Sequence, residues 1–137
     1  MADRKIVVTS GYFDPLHVGH IRLLEDAKKL GDWLVVIVNN DKQASVKKGK
    51  PFMPAEERAK VIQALKVVDE VIVSLDDDQT VRLTLRHIKP HVFAKGGDSV
   101  PENVPELEIC RELGIEAVFG VGGEEIQSRY WLKKKVQ

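Results

Sequence analysis

Two residues best suited to chemistry, His17 and His20, stand three apart in the stretch GYFDPLHVGH, residues 11–20. Side chains at that spacing share one face of a helix, so both imidazoles can donate to a single phosphate group. Zinc would also accept the spacing, but a zinc site needs further ligands. No cysteine lies nearby and Asp14 is the only close carboxylate, so the pair reads as an anion site and not as a metal site. Gly11 permits close backbone approach, Asp14-Pro15 makes a tight turn, and Gly19 keeps the first helical turn narrow beside a ligand. Neither a P-loop nor a dinucleotide fingerprint is present.

Such a stretch works only where free backbone N–H groups face an anion, which is at the start of a helix following a strand. The pattern supplies that setting. IVVT at 6–9 reads as a strand, and Ile21, Leu24, Ala27 and Leu30 recur at helical spacing before Gly31. WLVVIV at 33–38 is a second strand, broken by Asn39, Asn40 and Asp41, and the segment VKKGKPFMP reads as a loop. Pro54 precedes a helix over AEERAKVIQALK, EVIVSL is a third strand, and DDDQTVRLTLRHIKP a helix closed by Pro90. HVFAKGG, PELEICRELG, EAVFGV and IQSRYWLKKKV then read as strand, helix, strand and closing helix. Alternation of this kind predicts a single Rossmann-like, doubly wound α/β domain over 1–137, with a five-stranded parallel sheet. Ligands of such sheets bind beyond the carboxyl ends of the strands, where the strand order reverses.

Composition narrows the class. Lys plus Arg and Asp plus Glu both number 21, so no global field favours nucleic acid or a membrane surface. Any anion site is therefore local. Cys110 is the only cysteine, which excludes an internal disulfide and a cysteine-rich zinc site. Its place in ELEICRELG is that of a buried thiol. MADRK lacks an apolar leader, and no apolar run approaches the ~20 residues of a membrane span, so the expected location is cytoplasmic.

GYFDPLHVGH resembles the GxFDxxHxGH motif of the cytidylyltransferase-like nucleotidyltransferases, a family that includes glycerol-3-phosphate cytidylyltransferases and heptose-phosphate adenylyltransferases. KKGKP, EER, VDEVIVS and KGGD follow in the family's order, so the resemblance runs from Lys5 to beyond Ile126. It implies transfer of a nucleotidyl group from ATP or CTP to a phosphorylated small molecule, with magnesium, release of pyrophosphate and no covalent enzyme intermediate. Such chemistry rests on positioning and charge neutralisation. By resemblance His17 and His20 hold the triphosphate, Tyr12 and Phe13 contact the nucleotide through their backbone, and Asp14 orders the loop. Lys47 matches an acceptor-phosphate lysine, and Lys48 and Lys50 compete for the triphosphate. Arg58 matches a family arginine, with direct ligand contact set against a surface salt bridge to a glutamate such as Glu56. Gly97 and Asp98 belong to KGGD beside the ligand, and Ile126, Gln127 and Ser128 to the segment that opens the last helix against the nucleotide. Family members are commonly homodimers.

Departures from the pattern steer the acceptor. KGGD is closer to the heptose-phosphate enzymes, although Ser99 stands where those often carry an aromatic residue. DDDQT replaces a lysine expected near Thr80 for glycerol phosphate, and the arginine that introduces the last segment is missing. Adenylyl transfer to a sugar phosphate is the preferred expectation. A CTP-dependent enzyme for a polyol or amino-alcohol phosphate and a catalytically silent nucleotide-binding module stay open, and flavin mononucleotide adenylylation shares the motif alone. Asp76 to Asp78 read as acids favoured by a helix start, and His87 and His91 as structural.

Overall fold

Strands and helices alternate through residues 4–96 and 104–122, the parts of the chain that a computed structural model describes. In chain order they are β1 Ile6–Gly11, α1 Val18–Lys28, β2 Trp33–Val38, α2 Asp41–Lys48, α3 Ala55–Gln63, β3 Glu70–Val73, α4 Arg82–Ile88, β4 Val92–Gly96, α5 Leu107–Leu113 and β5 Glu116–Val121. The strands form one parallel five-stranded sheet in the order β3-β2-β1-β4-β5. This is the doubly wound α/β architecture that the alternation predicts. The expected closing helix at 126–136 lies outside the described residues.

Both faces of the sheet are covered, which explains the unbroken apolar strands. Val7, Leu34, Val36 and Val92 pack under Leu24 and Ala27 of α1 and Ile62 of α3. Their neighbours Val8, Val35, Ile37 and Phe93 face the other way, against Leu85 of α4 and Ile109 and Cys110 of α5. Each such side chain contributes roughly 1.5–3 kcal/mol by leaving water. From β1 the chain builds outward to β2 and β3, then crosses back to add β4 and β5 on the other side. The order therefore reverses between β1 and β4, and the loop carrying His17 leaves the sheet at that point.

Two helix boundaries differ from the sequence reading. Residues 41–48, read as a chain break running into a loop, form α2. Asn40 caps it by accepting the Gln43 N–H at 2.9 Å, while Gln43 Oε1 accepts the Asn40 N–H at 2.9 Å. This reciprocal cap makes a helix from eight polar-rich residues with little apolar periodicity. In the other case α4 starts at Arg82 and not at the acids. Asp76 instead folds back from the preceding loop and accepts the N–H groups of Leu83 at 2.7 Å and Thr84 at 3.0 Å. Its carboxylate serves the helix start from outside the helix.

Candidate functional site

His17 and His20 together close the start of α1. His17 Nδ1 accepts the Gly19 N–H at 3.1 Å, and His20 Nδ1 accepts the His17 N–H at 3.1 Å. This is a capping box made by two imidazoles in place of the usual hydroxyl and carboxylate. A nitrogen that accepts carries no proton, so each neutral ring bears its proton on Nε2. The capping bonds thus fix the tautomer and leave Nε2–H as the donor edge of each ring. The rings stack with centroids 3.7 Å apart at 29°, and Phe13 meets the His20 ring edge-on at 5.0 Å. Gly19 eases this packing, because a Cβ there would lie 3.0 Å from His17 Cε1 and the ring would have to shift. Two oriented N–H donors thereby stand at the positive end of a helix dipole, an arrangement suited to an anion.

The loop before the pair is held from beneath. Phe13 takes a positive φ of 52° and turns its ring under Gly11, where a Cβ would come within 2.9 Å of it. Asp14 accepts the N–H groups of Phe52 at 2.7 Å and Met53 at 2.9 Å, which joins the β1–α1 loop to the segment before α3. Arg58 is 0% exposed. Its Nε donates to Met53 O, its Nη1 to Tyr12 O and Asn39 O, and its Nη2 to Asp41 Oδ1, each at 2.8 Å. Neither expectation for Arg58 matches this geometry. Its ion-pair partner is Asp41 and not Glu56, and its guanidinium is enclosed by protein acceptors instead of facing a ligand. The reason is that α3 turns this side chain inward, toward the ends of β1 and β2.

Beside the loop a cavity of about 490 Å³ opens at the carboxyl ends of the strands. Ser10, Gly11 and Tyr12 line it from β1, Asn39 from the end of β2, and Lys95 from β4. Gln79 and Val81 come from the loop after β3, and Pro105 and Glu106 from the approach to α5. Burial raises the Tyr12 phenol above its ordinary value, with the Arg58 charge opposing, and its hydroxyl donates to Gln79 Oε1 at 2.9 Å. Glu106 is 5% exposed, and its Oε2 accepts the Val81 N–H at 3.0 Å. Cys110 one turn on is pushed up to about 11 by burial and by the Glu106 charge, so its thiol stays protonated and unreactive at neutral pH. His17 and His20 do not line the cavity. Both regions share the β1–α1 loop, through Tyr12 on one side and Phe13 on the other.

Among the expected site residues, Gly11, Tyr12, Phe13, Asp14, His17, Gly19 and His20 come together on this loop. Lys47 sits in the last turn of α2 and not in a loop; the side chains of Lys47 and Lys48 lie outside the described structure. Lys50 is exposed beyond Gly49. Gly97, Asp98, Ile126, Gln127 and Ser128 lie outside the described residues. The sequence reading did not single out Asn39, Gln79 or Glu106 as site residues. Asn39 carries a usable signal, since it directly follows a buried strand at the ligand-binding edge. Glu106 carries none, because PELE reads as an ordinary helix start. Among the described residues no group of three or more His, Cys, Asp or Glu is placed to hold a metal ion, and no helix is long and apolar enough to cross a membrane.

Comparison with known proteins gives a consistent picture. Residues 8–122 match the family model described as cytidylyltransferase-like. The chain is 47% identical over 113 residues to the FAD synthase of Ferroglobus placidus, covering 82% of this chain and 72% of that protein. It is 44% identical over 118 residues to the bifunctional protein HldE of Streptomyces coelicolor, covering 83% of this chain but 25% of that protein. The chain therefore spans about a quarter of the length of that relative. The crystal structure of the lipopolysaccharide core biosynthesis protein from Thermoplasma volcanium superposes with a TM-score of 0.72 at 34% identity, covering 86% of this chain and 95% of that one. A protein of unknown function from Archaeoglobus fulgidus, at 21% identity and a TM-score of 0.63, shares the fold.

Proposed function

The chain belongs to the cytidylyltransferase-like family and is a nucleotidyltransferase; from that premise we propose that it moves adenylate from ATP to the phosphate of a sugar phosphate. The observation that carries the reaction is the double capping of α1, which fixes Nε2–H on both His17 and His20. An oxygen of the acceptor phosphate attacks the α-phosphorus of ATP in line. The bond from that phosphorus to the bridging oxygen breaks, and its electron pair leaves with pyrophosphate. Donation from the two imidazoles offsets charge that builds on the phosphate oxygens, and preorganised donors of this kind need no reorganisation during reaction. Lys47 acts on the acceptor phosphate and Lys50 on the departing pyrophosphate.

Gly11, Tyr12, Phe13, Asp14 and Gly19 shape the wall against the nucleotide, with Arg58 holding that wall from inside. Gly97, Asp98, Ile126, Gln127 and Ser128 complete the nucleotide site in this reading. The described residues do not fit a resident metal. Asp14 and Asp76 spend both carboxylate oxygens on backbone N–H groups. Magnesium would accordingly arrive on the triphosphate, where it screens phosphate charge. The working unit proposed is a homodimer.

ATP is favoured over CTP because FAD, the product in the name of one relative, contains an adenylate half. A sugar phosphate is favoured because Ser10, Asn39, Gln79, Lys95 and Glu106 give the cavity a hydrogen-bonding lining. The FAD synthase relative supports a second reading, with flavin mononucleotide as acceptor. Pyrophosphate release separates these, measured with ATP or CTP against a panel of sugar phosphates, flavin mononucleotide and glycerol 3-phosphate. Turnover with ATP and a sugar phosphate is the expected result. Turnover confined to flavin mononucleotide would move the acceptor, and turnover confined to CTP would overturn the donor. Nucleotide binding without pyrophosphate release from any pair would instead favour a silent module.

A further inference from the structure

Glu106 has no assigned role in nucleotidyl transfer, yet it places a buried carboxylate in the wall of the cavity. We propose that Glu106 selects the acceptor, by accepting hydrogen bonds from hydroxyl groups on the body of the phosphorylated substrate. The inference rests on the sugar-phosphate reading of the same site.

One carboxylate oxygen, Oε2, holds the Val81 N–H at 3.0 Å, which locks the side chain against the loop after β3. Among the described residues no buried side-chain oxygen is left without a partner, and the hydrogen bond to Val81 uses Oε2, so Oε1 is the oxygen that the proposal assigns to the cavity that Glu106 lines. An ionised carboxylate only accepts hydrogen bonds, so its natural complement is a donor. The candidates are a hydroxylated body and an ammonium group. Charge in the lining decides between them. Among the described residues of the lining the charged side chains are Glu106 and Lys95, one of each sign, and Ser10, Tyr12, Asn39 and Gln79 are neutral. A neutral, polyhydroxylated body suits that balance, whereas a cationic one would meet Lys95. Val81 gives the wall an apolar side, where a ring face can rest.

A site built to bond a substrate hydroxyl rejects an analogue lacking it, because the buried polar group is then left unpaired. Glu106→Gln keeps an oxygen able to accept the Val81 N–H while removing the charge. For the best sugar phosphate it should raise the acceptor KM about ten-fold or more, with kcat and the KM for ATP within about two-fold. Wild-type protein should show a matching loss with one deoxy form of that acceptor, and the variant should no longer distinguish the two. An unchanged acceptor KM in Glu106→Gln, or a parallel fall in kcat with every acceptor, overturns the proposal while leaving the functional reading intact. Preference for an amino-alcohol phosphate overturns the hydroxyl assignment. Should the variant fail to fold, the wild-type deoxy series decides alone, and equal turnover of every deoxy form overturns the proposal. If wild type turns over no hydroxylated acceptor, the functional reading falls and this inference with it.

Discussion

Asp14 and Glu106 are both buried carboxylates at the carboxyl edge of the sheet, 8% and 5% exposed, yet they are used differently. Asp14, on the β2 side of the switch point, gives both oxygens to the backbone of Phe52 and Met53. Glu106, on the β4 side, gives one oxygen to Val81 and lines the cavity. Their neighbours repeat the contrast. Arg58 and Gln43 are fully buried and bridge β2 to the adjoining loops, whereas Tyr12, Gln79 and Lys95 line the cavity. One side of the site is a frame and the other is a receptacle. A buried polar network rigidifies when every member is satisfied, so the frame can hold the histidine loop still while ligands come and go.

The largest effect should come from breaking the frame. Arg58→Met leaves the carbonyls of Tyr12, Asn39 and Met53 and the Asp41 carboxylate without their donor. Stability should fall by about 3 kcal/mol or more, read as a large drop in thermal midpoint. A variant as stable as wild type would show that the frame is not what holds the loop. Removing the donors should act on rate instead. His17→Ala or His20→Ala should lower kcat about 100-fold or more while costing about 1 kcal/mol of stability through the lost cap. Steady-state pyrophosphate release beside a melting curve checks both, and full activity in either variant contradicts the mechanism.

A smaller effect concerns the turn that presents Gln79 to the receptacle. Asp78 is held below its ordinary 3.8 by hydrogen bonds from the Thr80 hydroxyl and N–H, with the Arg82 charge assisting. A carboxyl depressed by folding stabilises the fold above its unfolded value and loses that contribution as pH falls through the folded value. Asp78→Asn should therefore be slightly less stable than wild type at neutral pH, by under about 1 kcal/mol because the side chain is largely exposed. The two melting curves should converge as pH falls through the folded value of Asp78, which lies below its ordinary one. A difference that persists unchanged into acid would assign the effect to shape and not to charge.

The frame and the receptacle were not equally legible in the sequence. Strand runs, helical spacing and the histidine pair identified the fold and the loop, because periodicity and local capping chemistry are properties of neighbouring residues. Helix α2 escaped that reading because its stability comes from the Asn40–Gln43 cap and from Gln43 reaching Thr80 O, 2.9 Å away across the fold. Arg58 had a motif but not a role, since its four acceptors come from three separate segments. Glu106 and Gln79 had no local signature at all. Both line one cavity although they follow β3 and β4, which flank opposite sides of the β2–β1 pair.

The central claim is that capping fixes both imidazoles as Nε2–H donors aimed at a triphosphate. Two-bond ¹H–¹⁵N correlation spectra of the four histidines, recorded above the imidazole titration range with and without ATP and magnesium, test it directly. The account predicts the Nε2–H tautomer at His17 and His20, and shifts at both on adding nucleotide. His91, whose Nδ1 accepts the Ile6 N–H at the far end of the sheet, should show the same tautomer and no shift. A proton on Nδ1 of either His17 or His20, or nucleotide binding that leaves both rings unmoved, would contradict it.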